Sequence, residues 1–98
     1  MHYTAGIWVV KEGREEEFAR RWQESADRIA LEVPGTTFKL MRDNANPQRF
    51  VSLGEGWHDV AQIDAVRESP AFQDTMTSIW RVLDSGEMST LDLVAEIS

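Results

Sequence analysis

The chain has 98 residues, enough for one domain with a modest core. Ten Lys and Arg stand against seventeen Asp and Glu, a net charge of −7 that opposes binding to phosphate backbones and to anionic membranes. There is no cysteine, which excludes disulfides, thiolate nucleophiles and Cys-ligated zinc or iron–sulfur centres.

Apolar residues make up 42% and charged residues 28%, a globular rather than a disordered balance. The longest apolar run, Ala5 to Val10, is too short to cross a bilayer or to form a signal-peptide core, so a cytoplasmic protein is expected.

Tyr3 to Val10 is rich in β-branched and aromatic residues and reads as a strand, ended by Lys11-Glu12-Gly13. Glu15-Glu16-Glu17 opens a helix with the negative charge that the helix dipole favours. Phe18, Trp22, Ala26, Ile29 and Val33 follow at spacings of four, four, three and four, which makes one apolar helical face. Pro34-Gly35 stops it. Thr36 to Arg42 reads as a second strand with Phe38 and Leu40 on one face. Asp43 to Gln48 is dense in turn formers and predicts a hairpin loop.

Arg49 to Trp57 is the third strand. Asp59 to Asp84 is helical but broken at Ser69-Pro70, with Ser69 as N-cap and Pro70 at the first helical position. Its second half puts Phe72, Met76, Ile79, Trp80 and Leu83 on one face, and Ser85-Gly86 should end it. Ser89 to Ile97 is expected as the last strand, with Leu91, Leu93, Ala95 and Ile97 alternating.

The order β-α-β-β-α-β predicts an α+β fold of ferredoxin-like topology. Right-handed crossovers put the helices on one face of a four-stranded antiparallel sheet. The first strand is apolar on both faces, with Ile7 and Val9 on one and Trp8 and Val10 on the other. Helices cover only one face, and a solvated second face should alternate with polar residues. A second copy of the chain, related by twofold symmetry, is the simplest cover for Ile7 and Val9.

Few residues suggest chemistry. His58 is the histidine nearest to a pocket rim and the one neutral-pH proton acceptor to consider, although a loop residue beside a helix start accounts for it better. No metal-ligand spacing and no nucleophile elbow is present. Gly54-Glu55-Gly56 lacks the third glycine of a phosphate loop, and Asp59 at the following helix start would repel phosphate. Gly54 and Gly56, on one strand face, and Gly6 on the first strand leave space above the sheet for a ligand or a bulky side chain. Trp8, Trp80, Phe72 and Met76 would wall an apolar cleft there; core packing alone also explains aromatics at such spacing. RNA-recognition domains share this element order, but the third strand lacks their aromatic motif and the chain is acidic.

These residues resemble the antibiotic biosynthesis monooxygenase family, a branch of the dimeric α+β barrel proteins. The resemblance runs through Val9-Val10-Lys11-Glu12-Gly13, Glu17-Phe18, Pro34-Gly35, Leu40-Met41-Arg42-Asp43, Pro47-Gln48-Arg49-Phe50, Trp57-His58-Asp59 and Ser69-Pro70-Ala71-Phe72. It implies a homodimer whose sheets pair into a barrel, with a pocket in each subunit between sheet and helices. Some members oxidise aromatic polyketides with molecular oxygen and no metal or flavin; others degrade haem or isomerise small phosphorylated signals. The residues that the haem-degrading branch needs fall at Gly6, Val66 and Met76, none of which matches. The expectation is therefore a cofactor-independent monooxygenase for a small aromatic or quinol-like molecule. Its substrate-binding set would be Gly6, Trp8, Gly54, Phe72, Met76 and Trp80, with His58 as the catalytic candidate. The alternative is a metabolite-binding protein or isomerase of the same fold without oxygen chemistry.

Overall fold

The computed structural model describes residues 1–98. The elements run β1 (His2–Val10), α1 (Glu15–Glu32), β2 (Thr37–Arg42), β3 (Arg49–Glu55), α2 (Val60–Glu68), α3 (Pro70–Trp80) and β4 (Leu83–Asp92). The strands form one antiparallel sheet in the order β2-β3-β1-β4. This is the ferredoxin-like α+β arrangement expected from the sequence, with the second helical region split into two helices. No helix is long and apolar enough to cross a membrane.

Local chemistry explains most boundaries. Asp59 caps α2 by accepting from the Gln62 N–H, and the Gln62 side chain accepts from the His58 N–H in return. Ser69 caps α3 through the Phe72 N–H, with Pro70 at the first helical position. The chain leaves α1 through Val33, and Gly35 takes a left-handed conformation at φ +96°. Arg14, the residue before α1, offers no side-chain cap. Its guanidinium pairs instead with Glu17 at 2.6 Å, and this hydrogen bond is the main cause that holds the Glu17 carboxyl below its usual range.

The end of the chain differs from the sequence expectation. Helix α3 stops at Trp80 rather than near Asp84, and β4 spans Leu83–Asp92 rather than Ser89 to Ile97. Leu83-Asp84-Ser85-Gly86-Glu87 has little strand propensity, and Ser85-Gly86 reads locally as a stop. Long-range pairing overrides it. Lys11 N–H donates to Val82 O, and β1 then pairs with β4 from Val10↔Leu83 to His2↔Asp92. Trp80, at the helix end, is 44% exposed and does not lie on the inner face.

The faces of the sheet follow the period of two. Trp8 and Val10 of β1 and Phe50 and Ser52 of β3 turn inward and are buried, as the parity of Trp8 predicted. Ile7 turns outward at 41% exposure, in a row with Val51 of β3 and Met41 of β2. The inner core has two parts. A larger cluster joins Trp8, Val10, Phe18, Phe50, Met76, Ile79, Val82 and Leu83; a smaller one joins Val33, Trp57 and Ile63.

Candidate functional site

Between the two clusters the packing is incomplete. The residues along the seam are small: Ser25 and Ala26 on α1, Ser52 and Gly54 on β3. A cavity of about 80 Å³ opens there, between the sheet and the helices. Trp8, Met76 and Ile79 of the larger cluster wall one side, and Trp57 and Ile63 of the smaller one wall the other. The half-buried Trp22, Phe38 and Phe72 complete the wall.

Fourteen of the nineteen lining residues are apolar, so the space favours an apolar body. An engineered apolar cavity of roughly 150 Å³ takes up benzene. This one holds a single ring only if the half-buried walls give way.

Two of the three indole donors in the wall, those of Trp8 and Trp57, are already used. Trp8 Nε1 donates to Ser52 Oγ at 3.0 Å, and Trp57 Nε1 donates to Thr4 Oγ1 at 3.2 Å. Neither of these two rings keeps an N–H for a ligand. No Asp, Glu, His, Lys or Tyr lines the cavity, and Arg67 is its single charged residue. Nowhere in the chain do three or more potential metal ligands come together.

Four of the six residues expected to bind substrate line this cavity: Trp8, Gly54, Phe72 and Met76. Gly6 and Trp80 do not. At Gly6 the Trp8 indole lies over the backbone so closely that a Cβ would overlap its ring. The space predicted above Gly6 is thus occupied by the neighbouring tryptophan. Gly56 lies beyond the end of β3 with φ +89°, where a side chain would strike the Gly35 carbonyl; it serves a close crossing of the backbone and does not share the Gly54 face. His58 is exposed in the loop between β3 and α2 and does not line the cavity.

Several lining residues escaped the sequence reading. Trp22, on the apolar face of α1, borders the cavity. Arg67 was not singled out, although the signal was present. Ile63, Val66 and Arg67 stand at i, i+3 and i+4, so Arg67 occupies an apolar-face position of α2.

The chain is an α+β domain with a small, largely apolar cavity between sheet and helices. The chain belongs to the antibiotic biosynthesis monooxygenase family, whose model matches residues 1–78, from β1 into α3. Among proteins with curated descriptions, none matches the sequence. Solved structures share the fold at low identity. SnoaB, a cofactor-independent oxygenase from Streptomyces nogalater, is similar in a variant form at 16% identity and TM-score 0.83, over 98% of this chain and 95% of that one. A structure described as antibiotic biosynthesis monooxygenase gives 20% identity and TM-score 0.80, over 97% and 100%. A conserved protein from Methanosarcina mazei Go1 gives 20% and 0.79, over 92% and 89%.

Proposed function

We propose that this protein is a cytoplasmic, cofactor-independent monooxygenase acting on a small electron-rich aromatic molecule held in the cavity between sheet and helices. The observation that carries it is the cavity itself: apolar, walled by aromatic and sulfur side chains, and placed in a chain of this family. Oxidation of a ring CH₂ to a carbonyl balances without a reductant. The carbon supplies four electrons, one oxygen of O₂ enters the product, and the other leaves as water with the two hydrogens. The protein then has to bind and orient the molecule, exclude bulk water and favour its carbanion. Trp8, Gly54, Phe72 and Met76 act as walls.

The test is an oxygen electrode with a panel of one- and two-ring quinols and phenols, read together with product mass. Oxygen uptake matched by a product that has lost two hydrogens and gained one oxygen is expected. Ligand-induced thermal stabilisation without oxygen uptake for any member overturns the oxygenase assignment. It then favours a binding role, which the absence of a titratable base in the cavity also fits. A His58→Ala variant is expected to keep wild-type turnover.

The working unit is proposed to be a homodimer, closed through the outer face of the sheet. Ile7, Met41 and Leu91 lie on that face at 41%, 47% and 45% exposure. Each such side chain removed from water contributes about 1.5–3 kcal/mol. Ile7→Asp is the sharper disruption, since Val51 and Met41 flank it, whereas Val9 pairs with Arg49, which would neutralise a carboxylate there. Light scattering should give twice the chain mass for the wild type and a lower mass or aggregation for Ile7→Asp. A wild-type mass of one chain at micromolar concentration sinks the dimer.

A further inference from the structure

Arg67 is an expensive residue to place in this cavity wall. It projects from α2 across to β4, where Nη1 donates to Thr90 Oγ1 at 2.7 Å and Nη2 donates to Ser89 O at 2.9 Å. Both acceptors are neutral. None of the ion pairs in the chain includes Arg67. A guanidinium carries five N–H donors, so three remain after these two bonds. The side chain is half-buried among apolar neighbours, and it is the single charge on the cavity wall.

The surroundings add little compensation. On its own helix, Asp64 acts only at a distance. From β4 the facing groups are the Ser89 carbonyl and the Thr90 hydroxyl. From α3, Gln73 Nε2 donates to the Arg67 backbone carbonyl at 2.7 Å. Burial holds the guanidinium below its ordinary range, with Asp64 offsetting part of this, yet an arginine stays charged at any working pH. A half-desolvated cation with free donors and no counter-ion is stabilised by an anion that brings its own negative charge.

We infer that the cavity takes its ligand as an anion, with an aromatic body between the tryptophans and an ionised oxygen of phenolate, enolate or carboxylate type on Arg67. This rests on the cavity being the ligand site of the proposed function, and it supplies what that function lacks. No lining residue can accept a proton from the substrate. Arg67 replaces the base by lowering the pKa of the bound molecule, so that solvent removes the proton and the anion remains bound. Arg67 is a binding and specificity residue that selects acidic aromatics over neutral ones.

The experiment uses 4-nitrophenol, whose phenolate is coloured and whose ionisation falls near neutral pH, and 4-nitrotoluene as a neutral partner of the same shape. Both are titrated into the full chain across pH. On the wild type the phenolate should bind at least about tenfold tighter than the phenol, which appears as a fall of about one in the apparent pKa of the bound dye. On Arg67→Gln that fall should vanish, on Arg67→Lys part of it should return, and 4-nitrotoluene should bind all three alike.

Because Arg67 also ties α2 to β4, the wild-type titration decides first. A dye that titrates on the wild type at or above its free value overturns the inference. So does 4-nitrotoluene binding while the phenolate is refused, with the ligand cavity surviving. If neither probe binds, the cavity assignment and the inference fall together. If Arg67→Gln keeps the full fall, the charge responsible lies elsewhere and the assignment to Arg67 is overturned.

Discussion

The two clusters of the core show how one sheet face makes both a foundation and a site. In the larger cluster, aromatic rings interlock. Phe18 meets Phe50 at 5.2 Å and Trp8 at 6.0 Å between ring centres, and Phe18, Val10 and Val82 are fully buried. The smaller cluster holds Trp57 against Ile63 and Val33, with Phe38 edge-on to Trp57 at 5.9 Å. Between them Ser25, Ala26, Ser52 and Gly54 are too small to join the two. A cavity therefore needs no special device here. It is what remains when small residues on α1 and β3 line the seam where large ones would fuse the core.

The contrast breaks most severely at Phe18. Phe18→Ala removes the ring that joins Trp8 to Phe50 and should cost about 3–5 kcal/mol of unfolding free energy, read by urea denaturation. A loss below about 1 kcal/mol would show that this cluster is as loosely packed as the seam. Trp8→Phe keeps an aromatic body but takes the donor away from Ser52 Oγ, and should cost about 1–3 kcal/mol.

Adding volume sharpens the comparison further. Val10→Leu in the sealed cluster should cost about 1–3 kcal/mol through overpacking, whereas Ala26→Leu adds more bulk and should stay within about 1.5 kcal/mol of the wild type, because it grows into the cavity. The same Ala26→Leu variant should weaken binding of any cavity ligand by more than about tenfold. An intact affinity would place the ligand elsewhere.

The smallest effect belongs to the loop before β3, far from either cluster in the packing hierarchy. The Ala45 N–H, the Asn46 N–H and then Arg49 hold the Asp43 carboxyl below its usual range. A carboxyl lowered on folding stabilises the native state above its unfolded pKa, and that contribution fades as pH falls through the folded value. Asp43→Ala should therefore lower Tm slightly at neutral pH, and the difference should close in strong acid. A Tm difference that persists unchanged in acid would show that the carboxylate charge is not involved.

Much of this was legible in the chain. The helical face from Phe18 to Val33, the Ser69-Pro70 break, and the inward parity of Trp8 depend on local periodicity and cap chemistry, and they stand. The family resemblance read from short segments spread along the chain also stands. Four of the six expected binding residues face the cavity, since parity along a strand and period along a helix decide which way a side chain points. Trp80 and the β4 boundaries were not legible. A helix end is decided by what the next segment pairs with, and that partner, β1, lies more than seventy residues earlier.

By itself, then, the sequence determined which elements form, which faces are apolar and which chemistries are excluded, because those follow from neighbours within a turn or two. Only the tertiary structure decided that Ser85-Gly86 lies in a strand, that the Trp8 indole fills the space over Gly6, and that the apolar face of α2 brings Arg67 to a cavity wall. The first and the last turn on residues distant in the chain meeting across the sheet, and the Trp8 indole is held over Gly6 by its hydrogen bond to Ser52 on β3; close packing, not local propensity, chooses among such meetings.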